Sequence, residues 1–256
     1  MATKARPKGN PVTVTAEKQY AMVIDQNLCI GCWTCAVGCK EINNEPLGFW
    51  WNRILTAAPA DTTGESSSAV ADPASDNIDV PHGTFPDVEM AYLPVACQHC
   101  EDAPCVKVCP VGATFRRDDG TVLVDYERCI GCRYCIAACP YGIRVFNWGD
   151  ARFDPDFTVG YGHDYRTDGR LVFTPDRPRG VVEKCTFCVE RIDVGEEPFC
   201  VTVCPVGARI FGDLNDPNSE VSELVEEQGA TQMLSDLGTR PRVFYIPVDE
   251  PRKTRE

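Results

Sequence analysis

The sequence lacks the features of several common protein classes. It has no apolar run of about 20 residues, the length that a membrane-spanning helix needs. Its first twenty residues, MATKARPKGNPVTVTAEKQY, are basic and polar, so we expect no secretory signal peptide. Basic residues are scarce, because 25 lysines and arginines stand against 38 aspartates and glutamates, which gives a formal net charge of -13. This balance argues against nucleic-acid binding and favours proteins as partners.

Catalytic motifs are also missing. The chain contains neither a G-x-G-x-x-G loop nor a P-loop, the usual nucleotide-binding patterns. Only three histidines are present, His82, His99 and His163, and none belongs to a nucleophile triad pattern. We therefore expect a protein without a catalytic site of its own.

What the chain has in abundance is cysteine, with sixteen in 256 residues. All of them fall into four sets of four, and no cysteine is left over. Set one is Cys29, Cys32, Cys35 and Cys39; set two is Cys97, Cys100, Cys105 and Cys109; set three is Cys129, Cys132, Cys135 and Cys139; set four is Cys185, Cys188, Cys200 and Cys204.

The spacing within the sets is that of bacterial ferredoxins, C-x2-C-x2-C-x3-C-P. Set three, CIGCRYCIAACP, matches every position, while sets two and four only widen one gap. Set one, CIGCWTCAVGCK, has Lys40 where the proline is expected. A lysine predicts that the helix continues past Cys39, and it places a cation beside the metal centre that this cysteine binds.

Cysteine has two other common uses in proteins. Disulfides are disfavoured, because cysteines two residues apart are poor partners and the chain has no mark of a small secreted domain. Zinc is the main alternative, since two separated C-x2-C pairs can close one tetrahedron and set four alone would fit. Three closely packed cysteines followed by a fourth and a proline favour [4Fe–4S] clusters, and four sets predict four of them.

In the ferredoxin pattern each cluster takes three cysteines from one set and a fourth from another. Sets two and three flank the stretch GATFRRDDGTVLVDYERC, whose DDG turn and TVLVDY strand predict a hairpin, as in a small two-cluster ferredoxin. Sets one and four then pair by elimination. The predicted ligand groups are Cys29, Cys32, Cys35 with Cys204; Cys97, Cys100, Cys105 with Cys139; Cys129, Cys132, Cys135 with Cys109; and Cys185, Cys188, Cys200 with Cys39.

This pairing predicts an α+β fold of two nested ferredoxin-like 2[4Fe–4S] units, with short helices, small antiparallel sheets and long surface loops. The predicted segments are an N-terminal extension 1–19, an outer unit 20–57 plus 181–215, a flexible insertion 58–87, an inner unit 88–146, a connecting loop 147–180, and a C-terminal helix, strand and tail 216–256. Residues 50–56 and 88–95 are predicted strands. A capping serine before EVSELVEE predicts the C-terminal helix.

Side chains near the cysteines are candidates for tuning the clusters. We expect some of the nearby cations to offset the negative charge of thiolate-bound clusters, namely Arg116, Arg117, Arg128, Arg133, Arg144, Lys184, Arg191 and Arg209. The aromatic residues next to cysteines are expected to pack against the clusters and exclude water, and they are Trp33, His99, Tyr134 and Phe187.

The assembled motifs CIGCWTCAVGCK, YLPVACQHCEDAPCVKVCPVGAT, DGTVLVDYERCIGCRYCIAACPYG, KCTFCVERI and CVTVCPVGARIFGDL carry a family resemblance. From about Tyr20 to Pro247 the chain resembles the four-cluster iron–sulfur (beta) subunit of complex iron–sulfur molybdoenzymes, of the dimethyl sulfoxide and polysulfide reductase type. The intact third set distinguishes it from relatives in which a tryptophan replaces one cysteine.

The resemblance implies a non-catalytic electron-transfer subunit. Its partners would be a catalytic subunit with a molybdenum or tungsten pterin and a polytopic membrane anchor with a quinone site. The chain would then be membrane-associated through partners, at the cytoplasmic face or exported with the catalytic subunit, without direct membrane insertion. The alternative is a soluble polyferredoxin-like carrier that serves a cytosolic dehydrogenase or hydrogenase.

Overall fold

The structure is a computed structural model of the 256-residue chain. It describes residues 18–46, 48–57, 82–84, 86–89, 91–149, 161–164, 170–173, 177–227 and 230–248. Most of the predicted N-terminal extension, most of the predicted insertion, part of the predicted connecting loop and the charged tail at residues 249–256 lie outside the described residues.

The main sheet joins the two ends of the described chain. Its four strands are β1 Tyr20–Asp25, β12 Arg209–Asp213, β13 Thr231–Gln232 and β14 Val243–Ile246. They lie in the order β12, β1, β14, β13. β1 is antiparallel to β12 and parallel to β14, so one parallel pair departs from the predicted antiparallel sheets. β1 is central and covered on both faces, which is the setting in which parallel pairs occur.

Five two-stranded sheets complete the described strands. They pair β2 Arg53–Ala57 with β5 Ala91–Val95, β3 His82–Thr84 with β4 Asp87–Glu89, β6 Thr114–Arg116 with β7 Val122–Val124, β8 Val145–Phe146 with β11 Val182–Glu183, and β9 Tyr161–Asp164 with β10 Arg170–Phe173.

Several sequence expectations can be compared with these strands. The hairpin between sets two and three is present as β6 and β7. The strand expected at 88–95 is instead divided between two sheets, because β4 pairs with β3 and β5 pairs with β2. The β9–β10 hairpin lies inside the predicted connecting loop, where no periodicity pointed to strands.

A 3-10 helix is described at Ser235–Leu237, and of the six described α-helices four are a single turn long. Their bounds are α1 Thr34–Ile42, α2 Pro104–Lys107, α3 Tyr134–Ala137, α4 Val189–Ile192, α5 Phe199–Thr202 and α6 Glu220–Glu227. α1 continues for three residues beyond Cys39, as Lys40 in place of proline predicted. Gly38 lets α1 approach α5 closely, because a Cβ atom there would lie 2.9 Å from the Phe199 ring.

The core lies on both faces of the main sheet. Side chains alternate along β1, so Met22 and Ile24 face a core that contains buried cysteines from all four sets. Ala21 and Val23 face the opposite side, where Val221 of α6 is fully buried. The sheet therefore supports the cysteine loops on one face, and α6 covers the other face.

Candidate metal centre

The structure brings the cysteines together in groups that combine members of different sets. Three cavities are each lined by four cysteines, with empty volumes of about 340, 420 and 290 Å³. Site A is Cys29, Cys32, Cys35 and Cys204; site B is Cys39, Cys185, Cys188 and Cys200; site D is Cys109, Cys129, Cys132 and Cys135. These are three of the four predicted groups, and the assignment of a cluster to each of them stays a prediction.

The remaining four cysteines form site C, defined as Cys97, Cys100, Cys105 and Cys139. The Cys139 thiol lies close enough to Cys97 and Cys105 for their charges to interact, and the same holds for Cys100. Every cysteine of the chain therefore lies in a group of four, in which three cysteines come from one set and one comes from another.

Left-handed backbone positions shape the cysteine loops. Trp33 and Arg133 have φ angles of 62° and 61° and immediately precede helices α1 and α3. Such residues reverse the chain within a two-residue spacing, so that three thiols face one point. In the loops of sets two and four the reversal directs backbone N–H groups toward sulfur, since His99 donates to Cys97 Sγ at 3.5 Å and Phe187 donates to Cys185 Sγ at 3.4 Å.

Glycine is required at one of these reversals by a close backbone approach. Gly131 has a φ angle of 67°, and a Cβ atom there would lie 2.3 Å from the carbonyl oxygen of Gly180. No side chain fits this space without displacing backbone. The loop that carries three of the four site D cysteines is thereby packed directly against the residues before β11.

In sets two, three and four the final cysteine is followed by P-x-G, and this turn directs backbone N–H groups toward the sulfur of that cysteine. Thr114 donates to Cys109 Sγ at 3.4 Å, and Ala208 donates to Cys204 Sγ at 3.3 Å. The N–H of Ile143 has the same role at Cys139. Because N–H donors stabilise a thiolate, these three cysteines lie in a similar polar environment.

Cys39, which has no proline after it, has a different environment. Its thiol donates to Oε1 of Glu45 at 3.3 Å, and the Asn43 amide donates to its sulfur at 3.5 Å. Glu45 is fully buried, and its Oε2 accepts the Trp51 N–H at 3.0 Å. Burial raises the pKa of Glu45 to about 7, and burial followed by Glu45 raises the pKa of Cys39 well above its usual value.

Sequence reasoning missed Glu45. It lies six residues after the last cysteine of its set, in a polar stretch, KEINNEP, that gives no sign of burial. The only available signal was the missing proline, which sends the chain along α1 and returns it over Cys39.

Lys40 lies beside the same site, as the sequence indicated. Its Nζ donates to the carbonyl oxygens of Pro46 and Phe49 and lies 4.7 Å from the centre of the Trp50 ring. Burial lowers the pKa of Lys40, while Glu45 and Cys39 act in the opposite direction. The cation therefore has two roles, since it fastens the loop after α1 and contributes positive charge near Cys39.

The predicted cations divide into surface and buried groups. Arg117 is paired with Asp193 at 2.7 Å, Arg128 lies near Asp125, and Arg133 lies over the Trp148 ring. Arg116 donates to Gln19 at 3.2 Å. The buried ones are Arg144, Lys184, Arg191 and Arg209.

The aromatic residues next to cysteines differ in their surroundings. His99 and Phe187 are buried and stacked, with ring centroids 3.7 Å apart, and they join the loops of sites C and B. Trp33 packs edge-on against Trp50. Tyr134 is 59% exposed, so the expected packing role does not hold for this residue, which lies on the outer side of α3.

His99 is held as a packing residue. Its Nδ1 accepts the N–H of Val122 at 3.0 Å, and burial lowers its pKa well below the usual value. The imidazole is therefore neutral and positions the cysteine loop around it.

The spacing between the thiols bears on the zinc alternative. Zinc–sulfur bonds of about 2.3 Å in a tetrahedron place thiolates roughly 3.8 Å apart. In the described part of the chain, no three side chains of His, Cys, Asp or Glu converge on a single metal ion. The four thiols that line each cavity therefore do not form a zinc tetrahedron in the described chain, which favours a group of several metal atoms as the occupant.

The four sites follow one another in a row. Thiols of successive sites lie close enough for their charges to interact, and the bridging pairs are Cys35 with Cys200 between A and B, Cys97 with Cys185 between B and C, and Cys105 with Cys135 between C and D. Only Cys32 of site A and Cys132 of site D are exposed. The row thus runs from one surface through the interior to another surface.

Among the described helices, none has the length and apolar character needed to cross a bilayer. The longest, α1, has nine residues.

Comparison with family models gives two matches. A 4Fe-4S dicluster domain model matches residues 88–154 and 171–214, and a second 4Fe-4S dicluster domain model matches residues 28–113. Together they cover all sixteen cysteines. Their bounds overlap at residues 88–113 and differ from those of the predicted inner and outer units.

Curated relatives match over most of their length. A protein of Halobacterium salinarum that carries the name of a dimethyl sulfoxide reductase iron–sulfur subunit is 47% identical over 89% of this chain and 78% of its own length. The iron–sulfur subunit of an arsenate respiratory reductase from Shewanella sp. strain ANA-3 is 39% identical over 89% of this chain and 96% of its own. The iron–sulfur cluster-binding subunit of a menaquinone reductase from Nitratidesulfovibrio vulgaris is 38% identical over 89% and 88%, respectively.

Proposed function

Since this chain belongs to the 4Fe-4S dicluster family of iron–sulfur subunits from multi-subunit reductases, we propose that it conducts electrons between two partner subunits. The chain carries four [4Fe–4S] clusters, which its two dicluster matches and sixteen cysteines account for. When bound, each cluster supplies a site that accepts and releases one electron.

The observation that carries this proposal is the row of cysteine groups from site A to site D. A single buried centre would serve storage or structure, whereas a row whose exposed cysteines lie in its first and last sites serves transfer between separate partners. Nothing in the described residues offers a further catalytic site along the row. The chain conducts the electrons, and its partner subunits carry out the redox reactions at the two ends of the row.

The same geometry supports the proposed ligand groups. We assign one cluster to each of sites A, B, C and D, in agreement with the cavity linings at three of them. The walls fit such a cluster, because they combine four thiols with apolar side chains such as Ile54 and Val182 and with N–H donors to sulfur. Low water access and N–H···S contacts both shift a cluster potential.

On the basis of these groups we also propose a nested arrangement of two ferredoxin-like units. Sites A and B use sets one and four, and sites C and D use sets two and three. The pairing of β1 with β12 supports it, because this sheet brings the chain before set one beside the chain after set four. The β6–β7 hairpin connects sets two and three locally.

The two surface ends of the row are the proposed docking regions. Ile30 and Leu28 are exposed beside the site A cysteines, and Ile130 and Trp148 are 64% and 65% exposed near site D. We propose that a catalytic subunit with a molybdenum or tungsten pterin meets one end and that a polytopic membrane anchor with a quinone site meets the other. The chain would then reach the membrane through partners.

Purification of the native complex tests this proposal. The chain, tagged and isolated from detergent-solubilised membranes, should bring with it a polytopic membrane protein and a large subunit that contains molybdenum or tungsten. Both metals are measured by mass spectrometry, and quinol should reduce the iron–sulfur chromophore. Recovery of the chain with only a soluble dehydrogenase or hydrogenase would support the alternative carrier role instead.

A further inference from the structure

Three buried cationic side chains in the described chain have no carboxylate partner. Arg144, Lys184 and Arg209 are 4%, 1% and 4% exposed, respectively. No aspartate or glutamate among the described residues forms an ion pair with any of them. Each lies between two successive sites of the row.

Arg209 lies between sites A and B. Its Nη1 is 3.9 Å from Cys200 Sγ of site B and 3.6 Å from Met22 Sδ, and its Nη2 donates to Asn52 Oδ1 at 2.9 Å. The guanidinium also interacts electrostatically with Cys35 of site A. The partners of this arginine are therefore neutral groups and the thiols of two sites.

Lys184 lies between sites B and C. Its Nζ donates to the carbonyl oxygens of Val122 and Cys185, and Cys185 is a site B cysteine. The N–H of Val122 is bound by His99, within the Cys97–Cys100 loop of site C. The ammonium charge interacts electrostatically with Cys185 of site B and with His99, which lies in the cysteine loop of site C.

Arg144 lies between sites C and D. Its Nη1 donates to Thr114 Oγ1 at 3.2 Å, while Nε and Nη2 find no oxygen or nitrogen acceptor in the part of the chain that the structure describes. The guanidinium lies against Cys135 of site D and interacts electrostatically with Cys105 and Cys97 of site C.

The contrast with Arg177 shows that these positions are unusual. Arg177 is also largely buried, and it has a carboxylate partner, Glu183, at 3.3 Å. Burial of a cation without a counter-charge is costly, and such groups normally acquire a partner. We call Arg144, Lys184 and Arg209 the junction cations. For them, the negative charge available in the described structure is that of the cysteine groups on either side.

We propose that Arg144, Lys184 and Arg209 are electrostatic spacers, each of which stabilises the reduced state of both neighbouring clusters and weakens the repulsion between them. This rests on the proposed function, since it takes the four sites as cluster sites. A positive charge shared by two clusters favours the more negative, reduced form of each. Removal of one spacer should therefore lower two potentials and leave the other two unchanged.

The test uses the full chain purified anaerobically with its clusters, and reads midpoint potentials by redox-titrated EPR. Arg144→Gln should lower two of the four midpoint potentials. At a fixed potential, the ratio of reduced to oxidised cluster should fall at least tenfold for each of these two, which corresponds to about 59 mV for one electron. Arg209→Gln should lower the other two. Arg144→Lys and Arg209→Lys keep the charge and should restore the potentials. Arg128→Gln is the control, because Arg128 adjoins Cys129 but is exposed.

The proposal would be overturned if Arg144→Gln shifted none, one or all four of the potentials. It would also be overturned if both glutamine variants affected the same pair of clusters. If both glutamine variants lose iron while both lysine variants keep it, the charge itself is required and the proposal stands. If the lysine variants lose iron as well, the arginines only pack. A wild-type chain that lacks four redox couples would instead refute the proposed function.

Discussion

At the scale of single residues, the final cysteines of the four sets have different hydrogen-bonding environments. Cys109, Cys139 and Cys204 receive backbone N–H groups from the turn that follows them. Cys39 faces Glu45 and Asn43 instead. A thiolate surrounded by backbone donors is better stabilised than one beside a carboxyl group. The site B cluster should therefore have the most distinct potential of the four.

Lys40 offers a direct test of charge at that site. Lys40→Gln should lower one potential, that of site B, because it removes a cation that interacts with Cys39. Half-burial limits the effect to a factor of about ten in the redox equilibrium, or about 59 mV. Lys107→Gln, at an exposed lysine two residues before Cys109, is the matched control. Equal shifts in both variants would show that the effect is general and not local to Cys39.

Gly131 tests the close packing of the site D loop. Gly131→Ala places a Cβ atom 2.3 Å from the Gly180 carbonyl oxygen in a left-handed backbone, and should cost about 1–2 kcal/mol for the conformation plus about 1–3 kcal/mol for overpacking. Gly112→Ala has the same left-handed φ angle but meets no atom within 4 Å, so only the first cost applies. Melting temperature and iron content measure both. Equal losses in the two variants would contradict the packing argument.

At the scale of elements, helix α6 closes the outer face of the main sheet, and its first turn is well capped. Ser219 Oγ accepts the Ser222 N–H at 3.2 Å and donates to the carbonyl oxygen of Asp213, at the end of β12, at 2.6 Å. Val221, two residues later, is fully buried against the sheet. One serine therefore joins the start of the helix to the end of a strand.

Replacement of this cap should be measurable. Ser219→Ala removes the side-chain acceptor and should cost about 1 kcal/mol, equivalent to about 2–4 °C in melting temperature for a chain of this size. Ser235→Ala, at an exposed serine, should change the melting temperature by less than about 1 °C. Should the two variants melt together, the cap would contribute nothing.

Local elements could be predicted from the sequence, and distant contacts could not. The β6–β7 hairpin, the capped helix α6 and strand β14 each have a signal within a dozen residues, such as DDG, the serine cap or VFYI. The parallel pairing of β1 with β14 joins residues more than 200 positions apart, and no local pattern specifies it. Glu45 was missed for the same reason, because its burial depends on the path of the chain after α1. The cysteine spacing was informative because ligand geometry restricts it so strongly.

At the scale of the whole molecule, charge dominates. The chain has a formal net charge of -13, and four thiolate-bound clusters add about -8. The formal net charge already includes Arg144, Lys184 and Arg209, so this negative charge remains after their contribution. Self-repulsion of this size opposes the compact state.

Salt should therefore stabilise the protein. Between 0.1 M and 1 M potassium chloride the Debye length falls from about 10 to about 3 Å, so surface repulsion is screened. We expect the melting temperature and the retention of iron to rise over this range. A melting temperature that falls with salt would show that attractive surface ion pairs outweigh the repulsion.

One chain holds four [4Fe–4S] clusters, and we propose that they form a row that conducts electrons. Metal analysis combined with redox-titrated EPR of the anaerobically purified protein tests it most directly. We expect about sixteen irons per chain, four one-electron couples, and a fully reduced spectrum broadened by magnetic interaction between neighbouring clusters. A chain that contains mainly zinc, or one with about eight irons and non-interacting signals, would contradict it.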